Sequence, residues 1–200
     1  DDVKYEDDNE FWFYFKPSTG LKYENVDKKI SGKTYRFDEN GVMKHGWNHT
    51  AASAATESKY FSGIDDGSMK KKTWVYAVPS KELNETDHDD DKKRWFYVEN
   101  SGYMVSNTVK KIKGKWYCFD DCGRMKKGLQ VLDSDKITDV TSWVSKADDE
   151  LDKDDFIATY AGSYVYYFSN DEEHDGSMKT GTQKVELNDG SYTFYFNKSG

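Results

Sequence analysis

The chain has 200 residues, of which 36% are hydrophobic, 33% charged and 16% aromatic, and it carries a net charge of −8. Aliphatic residues are too few for a large conventional core, and Lys and Asp are interspersed where a nucleic-acid partner would want a basic stripe. No apolar run approaches the ~18 residues that span a membrane. The sequence opens on Asp1-Asp2-Val3-Lys4 with neither an initiator Met nor an apolar leader, so any export signal is expected to have been removed or to lie outside it.

In chain order, residues 1–10 read as an N-terminal extension, after which Trp12-Phe13-Tyr14-Phe15 runs into a polar turn ending on Gly20. Tyr35-Arg36-Phe37 leads in the same way to Gly41, and Met43 follows two residues later. All five methionines keep that place after a glycine: Gly41/Met43, Gly67/Met69, Gly102/Met104, Gly123/Met125 and Gly176/Met178. Alternating aromatics closed by a polar turn with Gly at its end predict a β-hairpin, because Gly supplies the positive φ that the turn needs. With Phe194-Tyr195-Phe196 before Gly200, about seven hairpins are expected.

Between the hairpins, Asn48 to Ser58 is small and polar, read as a connector or one or two helical turns. Leu83 to Lys93, with Asp87-His88-Asp89-Asp90-Asp91, lacks the ligand spacing and central Gly of a calcium loop and reads as a solvated hairpin loop. Within an insertion around Lys136 to Tyr160, Ile137, Val140 and Val144 have helical spacing and Asp139 is placed to cap. This predicts a short helix around 137–158. Cys118 and Cys122 flank one turn, where a cross-turn disulfide competes with two free thiols, and no neighbouring His or Cys completes a zinc site.

A longer period lies over the short one. Lys28 to Gly46 aligns with Lys110 to Gly128 at an offset of 82 and matches at 12 of 19 positions. The expected fold is therefore all-β, a solenoid of stacked hairpins forming a single array over 11–200, with super-repeats at 11–74 and 95–181 and a third opening at 182–200.

The stretch Gly114-Lys115-Trp116-Tyr117-Cys118-Phe119, then Gly123-Arg124-Met125-Lys126-Lys127-Gly128, resembles the bacterial cell-wall-binding repeat, as does Asp175-Gly176-Ser177-Met178-Lys179-Thr180-Gly181. That family includes choline-binding modules of autolysins and surface proteins, glucan-binding regions of glucansucrases and the repeats of large glucosylating toxins. The resemblance implies a secreted or wall-attached protein and a non-catalytic attachment part. Its partner would be a cell-wall polymer (teichoic acid or peptidoglycan-associated glycan) or an extracellular polysaccharide, with no cofactor and no metal.

The family's choline cage implies a Trp four residues after each Met, paired with an aromatic that opens the next strand, because ring faces attract a cation that cannot donate a hydrogen bond. The first position holds Trp47, Thr73, Thr108, Leu129 and Thr182, and the second holds Trp12, Trp95 and Trp116 but Thr34, Ser58, Val165 and Thr193 elsewhere. No hairpin keeps both, which disfavours choline and leaves Trp47, Tyr60 and Met69 as the best remaining cage. A sugar needs less, one open ring with polar neighbours, and Trp47, Trp74, Trp95 and Trp116 are the candidate platforms. Core packing is the competing use of each. No Ser, Cys or His stands in a nucleophile motif, so catalysis is not expected. The alternative functions are a structural spacer or protein-interaction solenoid without a small ligand, and a toxin-like repeat that recognises host glycans.

Overall fold

The computed structural model describes residues 11–49, 57–170 and 175–199. The expected extension at 1–10, the Thr50 to Ala55 stretch and the turn glycine Gly200 lie outside them. In chain order the elements are β1 (Val26–Ile30), β2 (Lys33–Phe37), β3 (Gly46–Asn48), β4 (Lys59–Phe61), β5 (Thr73–Ala77), α1 (Glu85–Asp89), β6 (Arg94–Val98), β7 (Thr108–Ile112) and β8 (Lys115–Phe119). They continue with β9 (Gly128–Leu132), β10 (Trp143–Lys146), α2 (Lys153–Thr159), β11 (Tyr164–Phe168), β12 (Met178–Lys179), β13 (Gly181–Leu187) and β14 (Gly190–Phe196). The protein is mostly β with two short helices among the described residues, and its strands form small sheets. The two-stranded sheets are β1–β2, β3–β4, β5–β6, β7–β8 and β13–β14, and one four-stranded sheet has the order β10-β9-β11-β12.

Two compact units divide the chain, one of residues 1–75 with 98–104, the other of 76–97 with 105–200. In both, the regular ladder lies on the side of the aromatic strand that the sequence did not single out. Strand β2 pairs with β1 from Val26↔Phe37 to Ile30↔Lys33, and β8 pairs with β7 from Thr108↔Phe119 to Ile112↔Lys115. The turns that close these ladders have two consecutive positive φ values, 48° and 87° at Ser31-Gly32 and 47° and 87° at Lys113-Gly114. That geometry matches the twist of the flanking strands. The Gly-x-Met turn also forms, but its Met side returns by a single bridge in Phe37↔Met43, Phe61↔Met69, Val98↔Met104 and Phe119↔Met125. An aspartate closes it: Asp38 Oδ1 accepts from the N–H groups of Asn40 and Val42, and Asp120 Oδ1 from those of Cys122 and Arg124.

The last residue of each aromatic strand is the repeated core position. Phe37, Phe61, Val98, Phe119 and Phe168 are at most 2% exposed. Successive turns are tied together by the backbone as well. The N–H groups of Met43, Met69 and Met104 donate to the carbonyls of Trp12, Thr34 and Ser58 in the first unit, and that of Met125 to Trp95 in the second. The thioether then lies on the turn glycine of the following hairpin. A Cβ on Gly102 would sit 2.8 Å from Met69 Sδ, and one on Gly176 would sit 2.7 Å from Met125 Cε. Met43 meets Gly67 in the same way, and Lys22 takes the part of the missing first methionine over Gly41.

The insertion meets expectation in part, since helix α2 falls almost wholly within the expected 137–158 stretch. Residues 137–144 are not helical, and the helix is α2, further along. Asp133 gathers the Thr141 N–H and the Thr141 and Ser142 hydroxyls, offering this segment local partners that compete with a helical ladder. Strand β10 then pairs with β9. Ile137 and Val140 are buried beside Val109, Cys118, Leu132, Tyr166 and Phe168, while Val144 is exposed. Helix α2 inserts Phe156 into a second cluster with Leu129, Val131, Val185, Leu187 and Phe196, and its first N–H, that of Lys153, donates to Asp189.

The acidic segment is also more ordered than a solvated loop. Asn84 caps α1 by accepting from the Asp87 N–H, and Asp87 itself is 3% exposed. Its carboxylate takes both Arg94 donors at 3.0 and 2.7 Å and Arg124 at 2.9 Å. Cys118 and Cys122 are free thiols, the first buried, and burial pushes both pKa values up.

Candidate glycan-binding site

Alternation places the aromatic side chains, and the structure sorts the six predicted site residues into three situations. Trp47 on β3 and Tyr60 on β4 are cross-strand partners whose rings meet edge to face at 5.0 Å. Burial raises the Tyr60 pKa. Met69, the third member of that candidate cage, is half-buried and lies on Gly102. Trp74 on β5 is half-buried. Trp116 on β8 packs against the cluster of Val109, Cys118 and Tyr166, with Lys111 Nζ 5.8 Å from its ring centroid.

Trp95 on β6 is placed differently. It stacks on Tyr76 of β5 with centroids 4.7 Å apart and planes at 27°, and Tyr76 is 53% exposed. This pair lines a cleft of about 440 Å³ together with Met125, Lys93, Arg94, Lys126, Lys127 and Lys146. Each element contributes for a visible reason: β5 and β6 pair to stack the rings, the Gly123 turn delivers Met125 to Lys127, and β10 brings Lys146 alongside β9. Tyr76 and the cations were missed in the sequence. The available signal was alternation in Thr73-Trp74-Val75-Tyr76-Ala77, which gives Tyr76 the same facing as Trp74.

Ring faces elsewhere are occupied by the chain's own ammonium groups. Lys28 stands 4.7 Å from the Tyr23 centroid, Lys59 5.0 Å from Tyr103, Lys126 5.5 Å from Trp143 and Lys153 5.4 Å from Tyr192. An external quaternary ammonium would have to compete with each. Ligand atoms of Asp120, Asp121 and Cys122 lie within 4.8 Å of one another, but the Asp120 oxygens already accept from Arg124 and Lys126 and from two backbone N–H groups.

Residues 28–43, from β1 through β2 to Met43, match the family model of the cell wall binding repeat. Across 179 residues, 90% of this chain, the sequence is 28% identical to glucosyltransferase-S of Streptococcus mutans serotype c. One stretch of the chain, residues 28–43, thus matches a cell wall binding repeat. The chain spans about a tenth of the length of that glucosyltransferase. Among solved structures, the chain is similar in fold to CbpJ from Streptococcus pneumoniae TIGR4, with a TM-score of 0.53 and 17% identity over 91% of this chain and 45% of that one. It is also similar to choline binding protein F from Streptococcus pneumoniae, with a TM-score of 0.51 and 19% identity over 91% and 43% of the two chains. Both similarities concern the fold. No helix among the described residues is long and apolar enough to cross a membrane.

Proposed function

We propose that this chain is a non-catalytic attachment module that holds a secreted bacterial surface protein to cell-wall polymer or extracellular glycan. Its hairpins, about seven, stack as a solenoid and offer aromatic rings along it. The observation that carries the reading is the repeat itself, matched at residues 28–43 and accompanied by 28% identity to glucosyltransferase-S over 90% of the chain. The Tyr76–Trp95 pair gives it a concrete surface: an exposed ring beside a cleft can take the C–H face of a sugar while neighbouring polar groups take hydroxyls. Weak sites of this kind add by avidity on a polymer.

Affinity electrophoresis through gels cast with soluble α-glucan tests the reading. Retardation is expected for the parent chain, and Tyr76→Ala should lose most of it, roughly fivefold to tenfold in apparent affinity. A second reading, a structural spacer without a small ligand, is favoured by the half-burial of Trp47, Trp74, Trp95 and Trp116. It predicts unretarded migration for parent and variant alike.

A further inference from the structure

The polarity of the Tyr76–Trp95 cleft opposes that of the chain. Acidic residues outnumber basic ones, 37 to 29, yet among the described residues five cations and no carboxylate line this cleft. Carboxylates stand behind the lining and neutralise part of the charge. Asp87 accepts from Arg94 and Arg124, Asp120 accepts from Arg124 and Lys126, and Lys146 pairs with Asp149. Three cations therefore share the two buried carboxylates Asp87 and Asp120, so that network keeps surplus positive charge with Arg94 and Lys126 on the cleft. Lys93 and Lys127 line the same cleft.

We infer that this cleft binds an anionic polysaccharide. One sugar ring stacks on the Tyr76–Trp95 pair, and the phosphate or carboxylate that the sugar bears meets Lys93, Lys127 and the exposed side of Arg94. The inference rests on the attachment reading and deepens it by naming the ligand's charge. The same cations repel a quaternary ammonium from the aromatic pair, so this cleft does not act as a choline cage. Acidic groups farther away than the ~8 Å screening length at physiological salt do not cancel the local field, whereas charges in contact with the ligand act at full strength. Selectivity then comes from charge, and position along the polymer from the stacked rings.

The test is calorimetric titration of the whole chain with three probes of equal length: neutral dextran, phosphorylated dextran and carboxymethyl dextran. At least one anionic probe should bind roughly tenfold tighter than neutral dextran at low ionic strength and lose that margin in 0.5 M salt. The tighter of the two identifies the anion. Lys93→Glu/Lys127→Glu should erase the margin while keeping neutral dextran binding, and Lys93→Gln/Lys127→Gln should halve it on a logarithmic scale, should the charge reversal unfold the chain. Tyr76→Ala should weaken the anionic dextrans but leave binding of inorganic polyphosphate unchanged, which separates a stacked sugar from plain polyanion attraction. Choline chloride should not compete. Equal binding of neutral and anionic dextrans overturns the charge assignment and leaves attachment standing. Binding of none of the three, by a folded chain, overturns both.

Discussion

At the scale of the residue, the turn glycine has two jobs. Positive φ was visible in the sequence, since Gly ends a polar turn after alternating aromatics, and Gly102 does have φ 92°. The second job was not visible: the thioether of the preceding hairpin's Met69 fills the space a Cβ would need. We expect Gly102→Ala to cost ~2 kcal/mol in urea unfolding, part backbone strain and part overpacking. Adding Met69→Ala should recover part of that cost, so a double-mutant cycle should give a coupling of about 1 kcal/mol, whereas strict additivity would mean that the two side chains do not collide. Asp87 is the other residue with a decisive role. Hydrogen bonds from Arg94, opposed by burial and assisted by Arg124, hold its pKa at about 2 against an ordinary 3.8. A depressed carboxylate stabilises the fold fully above the ordinary value and loses that contribution as pH falls through the folded one. The contribution is therefore whole above about pH 4 and disappears towards pH 2. Asp87→Asn should cost ~3 kcal/mol at neutral pH and flatten the stability profile between pH 4 and 2, as read by denaturant midpoints at stepped pH. An unchanged profile would mean that another group dominates acid unfolding.

At the scale of the element, period-2 aromatic patterning located β2, β6, β8, β11 and β14, because the same residues both favour extended backbone and fill the core. Trp12 to Phe15, by contrast, contributes only a single bridge among the described residues, Phe15↔Lys22. Phe37, Phe61 and Phe119 end their strands and are buried. A short helix does lie in the expected 137–158 stretch, but Ile137, Val140 and Val144, which suggested it, are not in it. Their spacing knows nothing of Asp133, whose carboxylate collects three donors from Thr141 and Ser142. Two buried apolar residues three apart serve a compact turn as well as a helix. Asp133→Ala should therefore cost ~2 kcal/mol and raise hydrogen exchange at Thr141 and along β10. Faster exchange at β13 and β14 alone would contradict that assignment. The acidic run was underestimated for a similar reason: Arg94 and Arg124, which hold Asp87, are 7 and 37 residues away in sequence.

At the scale of the whole molecule, the repeat was legible and the proposed ligand surface largely was not. Gly-x-Met recurs openly, and so does the match at an offset of 82. The cleft draws on residues from Tyr76 to Lys146 that only strand pairing brings together, and the platforms expected from the sequence, Trp47, Trp74, Trp95 and Trp116, did not include Tyr76. Trp95 was found because it occupies a repeat position, and its exposed partner was overlooked because it does not. The proposed array of stacked hairpins would spread weak contacts along its length, which suits a polymer better than a small solute. The most direct test of attachment is co-sedimentation of the purified chain with washed Gram-positive cell walls, before and after teichoic-acid removal, and with insoluble α-glucan. The account predicts that most of the chain pellets with at least one of these and is released by the matching soluble polymer. A folded chain that stays in the supernatant with all three would contradict it.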